Sequence, residues 1–252
     1  MNTEKEAATV EVPTASARKT ATLLELGRKR LELFDIEGYQ DAAACFRAAL
    51  EEDERCDSAC AGLAEVFSYW GFRLEIEGGA AEAYYSLAYR YAEKALELAA
   101  QEASSHRAMA AALRRGERAD AERRRAESSA AVELDPLDAG NWYEYWRAFG
   151  YGLADSSIRK TLSLNPSYFA AYHDVAVALC EQGRLEEAEK WMRAALEIHP
   201  RHSLALFNLA MIEERQGRAA DALAGLRAAG EMFPGNRLIR DGFAALAERV
   251  DG

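Results

Sequence analysis

Three of the four cysteines lie near one another in the sequence and are the first candidates for chemistry. Cys45, Cys56 and Cys60 could supply thiolate ligands or a redox pair, since thiols four residues apart share one face of a helix. A metal site would need a histidine to complete the ligand set, and none lies close to them in the sequence. We therefore expect reduced thiols that pack as small hydrophobic side chains, and neither a metal ion nor a cofactor.

A second candidate is His173 with Cys180, which could act as a base and a nucleophile. The two share a helical face, but no third group is positioned to orient the base. The adjacent glycines Gly78 and Gly79 lack the preceding strand and the spacing of a phosphate-binding loop. Because no set of acid, base, nucleophile and charge stabiliser can be assembled, we expect a protein that is not an enzyme.

Composition indicates an all-α protein. Half of the 252 residues are hydrophobic, only five are proline, and Ala, Leu, Glu and Arg are abundant. Such unbranched side chains lose little rotamer freedom in a helix. The formal net charge of -11 repels phosphate groups, so binding to nucleic acid or to an anionic membrane is not expected. No apolar run is long enough for a transmembrane helix, so membrane insertion is not expected either.

The first twenty residues are expected to form a disordered tail. They contain charges at Glu4, Lys5 and Glu6 and lack the apolar run of a signal peptide, which favours a cytoplasmic protein. The predominance of Arg over Lys, with the high Ala content, suggests a bacterial source. The number of copies in the assembled protein cannot be read from these features.

Four prolines mark an internal repeat. Pro136, Pro166, Pro200 and Pro234 are spaced 30, 34 and 34 residues apart, and a spacing in this range is typical of helical repeat proteins. Other residues recur at the longer interval, namely Gly183 with Gly217, Arg184 with Arg218, Ala188 with Ala222, and Ala195 with Ala229.

Each unit reads as two amphipathic helices. In SYFAAYHDVAVALCEQG and RLEEAEKWMRAALEIHP, apolar residues recur at steps of three and four. Gly183 supplies the turn between the helices, and Pro200 ends the second helix because it cannot donate a backbone N–H. One hairpin cannot bury its own apolar face, so neighbouring hairpins must stack.

This pattern resembles the tetratricopeptide repeat (TPR) family, most clearly from Phe169 to Gly235. The signature positions are filled by Tyr172, Val175, Ala176, Leu179, Ala188, Met192, Ala195 and Pro200 in one unit, and by Leu206, Leu209, Ala210, Ala222, Leu226, Ala229 and Pro234 in the next. The resemblance implies an all-α, right-handed α-solenoid over residues 21–250. Its six hairpin units are expected at residues 22–55, 57–101, 104–135, 136–166, 167–201 and 203–236, with a capping helix at 237–250.

The aromatic segment GNWYEYWRAFGYG falls in the short fourth unit. This unit is four residues shorter than the next two, and we assign the shortening to the turn around Gly150 and Gly152. The repeat register then places four aromatic residues in the core: Trp142, Tyr145, Trp146 and Phe149. Trp146 then occupies a position where the family has a small residue. Tyr143 and Arg147 fall on the face that lines the concave groove in this family, where an exposed Tyr and Arg could anchor a partner.

The same register extends this groove over the next two units. It assigns to the groove the residues His173, Val177, Cys180, Phe207, Asn208 and Met211. This lining suits an amphipathic helix or an extended apolar segment of another protein. The lysines of the family's carboxylate clamp are absent, so binding of a chaperone's C-terminal tail is not expected.

A basic run in the third unit offers a second possible docking surface, on the convex side. It comprises Arg114, Arg115, Arg118, Arg123, Arg124 and Arg125. The resemblance implies a non-catalytic scaffold that binds a protein or peptide segment. The alternative is a small-ligand or transport-associated module with an aromatic pocket in the fourth unit.

Overall fold

The computed structural model describes residues 14–150 and 156–251, and the regular structure within these ranges is entirely α-helical. The helices are α1 Ala15–Leu31, α2 Ile36–Glu52, α3 Asp57–Ile76, α4 Glu82–Leu98, α5 Ala103–Ala112, α6 Ala121–Leu134, α7 Ala139–Phe149, α8 Ser156–Leu164, α9 Phe169–Glu181, α10 Leu185–Ile198, α11 Ser203–Arg215, α12 Ala219–Met232 and α13 Arg237–Asp251. None of these helices is long and apolar enough to cross a lipid bilayer.

Consecutive helices pair into six stacked hairpins, and α13 covers the open side of the last one. The predicted all-α repeat solenoid is therefore confirmed. The first helix begins at Ala15, with Thr14 capping its N-terminus, although the predicted tail extended to residue 20. Most of that tail, residues 1–13, lies outside the described residues, as does the predicted turn residue Gly152.

The turns of the fifth and sixth units explain why their sequences repeat so closely. Gly183 and Gly217 adopt positive φ angles of 76° and 81°, which glycine tolerates without steric cost. The following N–H groups of Arg184 and Arg218 donate to carbonyls five residues earlier, at 3.0 and 2.9 Å. These bonds satisfy carbonyl groups that the helix ends would otherwise leave unpaired.

Small side chains set the distance between the paired helices. Ala176 of α9 and Ala188 of α10 are fully buried, so the two backbones can approach closely. The buried side chains form three clusters, one over α1–α5, one over α7–α11 and one over α11–α13. The solenoid is thus held by successive layers, as expected for stacked repeats.

The solenoid also closes on its inner side. The turn between α1 and α2, residues 33–35, which we term the closing turn, reaches the turn between α10 and α11. His202 Nε2 lies 2.9 Å from the carbonyl oxygen of Phe34, and His199 Nε2 lies 3.2 Å from Oδ2 of Asp35. The first unit therefore contacts the fifth and sixth units directly.

Candidate binding groove

The inner surface of the solenoid contains three adjoining cavities. An N-terminal chamber of about 330 Å³ is lined from α1, α3 and α5 and from the turns before α7 and α9. A central chamber of about 50 Å³ follows. An inner cleft of about 340 Å³ lies between α3, α5, α9 and α11. Cavities of the two larger volumes can accommodate a few side chains of a ligand.

The inner cleft brings together four of the residues predicted to line the groove. His173, Val177, Phe207 and Asn208 all line it, and Asn208 Nδ2 lies 2.9 Å from His173 Nε2. Phe207 and Val177 are half-buried, so part of each apolar side chain remains accessible.

The other four predicted groove residues do not line the inner cleft; two of them, Cys180 and Met211, lie in the fifth and sixth units. Arg215 donates to Sγ of Cys180 at 2.9 Å. Met211 packs against the apolar cluster of α11–α13.

Two arginines of the basic run form one wall of the inner cleft. The guanidinium carbons of Arg114 and Arg115 lie 4.8 and 4.7 Å from the ring centroid of Phe72. Arg115 also donates to Glu75 at 3.0 Å and keeps 38% of its side chain exposed. The two guanidinium groups stack on one ring beside apolar side chains, and the carboxylates of Asp174 and Glu181 line the same cleft.

The basic run does not form one convex surface, because the chain reverses at Gly116, which has a φ of 83°. Arg118 stacks over Tyr89 at 4.4 Å, and Arg123 donates to the same tyrosine hydroxyl at 3.1 Å. Arg124 is largely buried near Glu144. Arg125 donates to a backbone carbonyl of α7. These four side chains are engaged with the chain itself.

Tyr143 and Arg147, predicted to be exposed in the groove, are buried at 2% and 3% exposure. The Tyr143 hydroxyl donates to Asp174 at 2.7 Å, and Arg147 is hydrogen-bonded to Glu144 and lies 3.8 Å from Asp174. Both line the central chamber, but their polar groups are engaged by Asp174 of α9, and Arg147 also lies over the ring of Tyr69 of α3 at 5.4 Å. The expectation that they contact a partner from an exposed position is therefore corrected.

The other aromatic residues of α7, all assigned to the core, follow the prediction only in part. Trp146 is fully buried, with its ring 6.3 Å from that of Tyr143. Phe149, assigned to the core, is 44% exposed. Trp142 and Tyr145 are half-buried. The large ring of Trp146 fills the space at the small-residue position, and the helix presents its aromatic residues to more than one side.

The central chamber is too small for the aromatic pocket considered as an alternative. Tyr143, Arg147 and His173 line it, and its volume of about 50 Å³ is enough for only a few water molecules.

Asp174 and Glu144 carry opposite pKa shifts in this region. Burial alone would raise the pKa of Asp174, but hydrogen bonds from His173 and Tyr143 and the nearby charge of Arg114 hold it below 3.8. Burial raises the pKa of Glu144, partly offset by the charges of Arg124 and Arg114. Asp174 is thus held as an anion by its partners, while Glu144 is the more easily protonated of the two carboxylates.

His202 joins the closing turn to α11 as a neutral ring. Its Nδ1 accepts the N–H of Ala205 at 3.2 Å, so Nε2 carries the hydrogen that is donated to the Phe34 carbonyl. Burial lowers the pKa of His202 well below 6.5, and the neighbouring charges of His173, Arg73 and His199 lower it further.

The candidates for covalent or metal chemistry are not assembled. Cys56 and Cys60 are buried, and burial raises the pKa of Cys60 to about 11, which keeps it a thiol. His173 is bonded to Asp174 and Asn208 and not to Cys180. Within residues 14–150 and 156–251, no group of three or more His, Cys, Asp or Glu residues is arranged to hold a metal ion.

Comparisons with known proteins agree with the repeat fold. Residues 167–233 match the family model of the tetratricopeptide repeat. No curated protein matches the sequence.

Several solved structures share the fold. The type IV pilus biogenesis factor PilW has a TM-score of 0.59 at 18% identity, over 91% of this chain and 99% of that chain. PilF of Pseudomonas aeruginosa has a TM-score of 0.52 at 17% identity, over 92% and 100%. The human IFIT1 dimer with m7Gppp-AAAA has a TM-score of 0.67 at 16% identity, over 83% of this chain and 50% of that chain.

The repeat generally serves in scaffolds that mediate protein–protein interactions and not in enzymes. The matched region contains the fifth and sixth units, where the sequence signature is most complete, and the same hairpin recurs through the preceding units. Residues 167–233 therefore carry the tetratricopeptide repeat, and the described residues as a whole share the all-α repeat fold of these solved structures.

Proposed function

We propose that this protein is a non-catalytic scaffold that binds a segment of a partner protein in the inner cleft. The observation that carries the proposal is that His173, Val177, Phe207 and Asn208, which the repeat register assigns to the groove, line one cavity of about 340 Å³. Concave surfaces of this kind are the usual binding faces of stacked repeats.

The lining favours a particular partner chemistry. One wall contains Arg115, which keeps 38% of its side chain exposed, and the opposite wall contains the apolar side chains of Val177, Leu204 and Phe207. Asp174 also lines the cleft, but its carboxylate already accepts hydrogen bonds from Tyr143 and His173. We therefore expect a segment with a carboxylate beside an apolar side chain, so that charge and apolar surface are matched together.

A protein segment is favoured over nucleic acid because the net charge of -11 opposes a phosphate backbone. Glu181 adds a carboxylate to the cleft lining. A short RNA with a 5′-triphosphate is therefore the control ligand for the experiment below, and we expect it to bind at least tenfold more weakly than a selected peptide.

The proposed compartment is the cytoplasm. The described cysteines Cys45, Cys56, Cys60 and Cys180 are all free thiols, and free thiols persist in a reducing compartment. Fractionation of the native host, with immunodetection of the chain, tests this placement, and recovery in an oxidising compartment would contradict it.

Selection from a library of random peptides displayed on phage tests the binding proposal. We expect the selected peptides to contain an acidic residue beside an apolar one. Their affinity should fall at least tenfold in the double variant Arg115→Met, Phe207→Ala.

The matched control is Arg118→Met, because Arg118 belongs to the same basic run but stacks on Tyr89, away from the cleft. Circular dichroism establishes that each variant is folded. Equal affinity of the wild type and the double variant would show that the peptides bind elsewhere and would contradict the assignment of the cleft.

A further inference from the structure

The closing turn interrupts what would otherwise be one continuous groove. Phe34 lines both the N-terminal chamber of about 330 Å³ and the central chamber of about 50 Å³. The central chamber shares His173, Asp174 and Leu204 with the inner cleft of about 340 Å³. The narrowest part of the groove is thus the part that the chain's own turn occupies.

The closing turn is held there by contacts of the kind that recognise a peptide. The ring of Phe34 has its centroid 5.5 Å from that of Tyr69, 6.2 Å from that of Tyr168 and 6.4 Å from that of Phe169. Its carbonyl oxygen accepts a hydrogen bond from His202. Aromatic contacts and a backbone hydrogen bond together specify both a side chain and the position of the chain that carries it.

Asp35 adds a charged contact to the aromatic one. Its Oδ1 accepts the N–H of Gly38 at 2.7 Å, which caps α2, while its Oδ2 faces His199 Nε2 at 3.2 Å. The turn therefore presents an aromatic side chain followed by a carboxylate. Each of these groups meets a side chain from the second half of the solenoid.

The backbone of Phe34 is unusual for its residue type. Its φ is 53°, the only positive φ of a non-glycine residue in the described part of the chain. In the fifth and sixth units the residue before the second helix's N-cap is Gly183 or Gly217, whereas here it is Phe34. A phenylalanine in a conformation that favours glycine indicates that the contacts of its ring offset the local strain.

We propose that the closing turn is an internal ligand of the groove, and that a partner segment which displaces it carries an aromatic residue followed by an acidic residue. The proposal rests on the proposed function, that the inner cleft binds a protein segment, and adds that the part of this segment which continues into the adjoining central chamber competes with the chain's own Phe34 and Asp35. Displacement of the turn enlarges the central chamber, which Tyr143 and Arg147 line, and joins it to the N-terminal chamber that Phe34 also lines.

The test uses a peptide copied from the turn. The variant Phe34→Gly keeps a residue that tolerates the positive φ, so the α1–α2 hairpin is retained while the ring is removed. The probe is an N-acetylated, C-amidated peptide of residues 33–37, LFDIE, and the control peptide is LADIE. The affinity of each peptide is measured by NMR titration. The same spectra give the rate at which the His202 imidazole N–H exchanges with water. The signal of this N–H is assigned by its absence from the spectrum of His202→Gln.

We expect LFDIE to bind Phe34→Gly at least tenfold more tightly than it binds the wild type, and at least tenfold more tightly than LADIE binds Phe34→Gly. The His202 N–H should exchange at least tenfold faster in Phe34→Gly and regain protection when LFDIE is bound. The variant Glu37→Ala, exposed at the start of α2, should behave as the wild type in these measurements.

Three results would each overturn the proposal. LFDIE could bind the wild type and Phe34→Gly with equal affinity, LFDIE and LADIE could bind Phe34→Gly with equal affinity, or LFDIE could fail to bind Phe34→Gly. If Phe34→Gly does not fold, Phe34→Asn replaces it, because asparagine also tolerates the left-handed region. If the LFDIE experiment fails, the proposed function still holds provided that the affinity of the phage-selected peptides falls in the double variant Arg115→Met, Phe207→Ala. Failure of that selection would instead contradict the proposed function.

Discussion

The inner faces of α7 and α9 occupy equivalent places in the repeat but differ in what covers them. Tyr143 and Arg147 of α7 are buried against α9 and α3, while Val177 of α9 remains half-exposed in the inner cleft. The repeat register assigns a residue to the concave side. Whether that residue is accessible depends on how far the solenoid curls and on which part of the chain fills its centre.

The largest expected effect comes from removing the buried charge on α7. Arg147→Met leaves Glu144 buried without its closest cation, and we expect the free energy of unfolding to fall by about 3–5 kcal/mol. Arg115→Met, whose side chain is 38% exposed, should change it by at most about 1 kcal/mol. Urea denaturation measures both, and similar losses would remove the contrast between the two faces.

A smaller effect is expected from one hydroxyl group on the covered face. Tyr143→Phe removes the hydrogen bond to Asp174, a carboxylate held as an anion, and should cost about 2 kcal/mol. Tyr172→Phe is the matched control. The Tyr172 hydroxyl donates to the carbonyl of Pro166 in an exposed hydrogen bond, whose loss should cost about 0.5–1 kcal/mol. Thermal and urea unfolding should rank the two variants in this order.

The pH dependence of stability should report on the contact of the closing turn. Because the pKa of His202 is lowered in the folded state, unfolding takes up a proton once the pH falls below the unfolded value of 6.5. The stabilisation is therefore complete above pH 6.5 and is lost below it, by at most about 1.4 kcal/mol per pH unit. His202→Gln should reduce this slope between pH 5 and 6.5, measured by urea denaturation at each pH.

An unchanged slope in His202→Gln would indicate that the ring is accessible to protons in the folded state. The charged and titratable groups around it are Asp35, Asp174, Arg73, Arg114, His173 and His199. Comparison of the wild type with His202→Gln at the same pH isolates the contribution of His202, because these groups are present in both proteins.

The smallest effect on stability is expected in the open cleft. Val177→Ala removes two half-exposed methyl groups and should lower the free energy of unfolding by about 0.5–1 kcal/mol. The loss in the free energy of binding a selected peptide should exceed the loss in the free energy of unfolding. If Val177→Ala lowers the free energy of unfolding as much as Tyr143→Phe does, the inner face of α9 is as deeply buried as that of α7.

The sequence was sufficient for the hairpins, because a glycine turn, a terminal proline and an apolar stripe are local signals. It also placed His173, Val177, Phe207 and Asn208 on one surface. The burial of Tyr143 and Arg147 could not be predicted, since it depends on contacts with Asp174 of α9 and with Tyr69 of α3, which belong to other units of the repeat.

The position of Arg114 and Arg115 was missed for a related reason. A run of like charges usually indicates a solvated surface, but Gly116 reverses the chain directly after them and separates them from the rest of the run. The guanidinium groups then stack on Phe72 of another unit, a contact that no local pattern contains.

Contact between the first and the fifth and sixth units also changes how the molecule should unfold. In an open array, each repeat is stabilised only by its neighbours, so the end repeats fray first. The hydrogen bond between His202 and Phe34 joins positions 168 residues apart. Native-state hydrogen exchange should therefore show α1 and α2 opening with the same free energy as α9 and α11, so that the chain behaves as one cooperative unit.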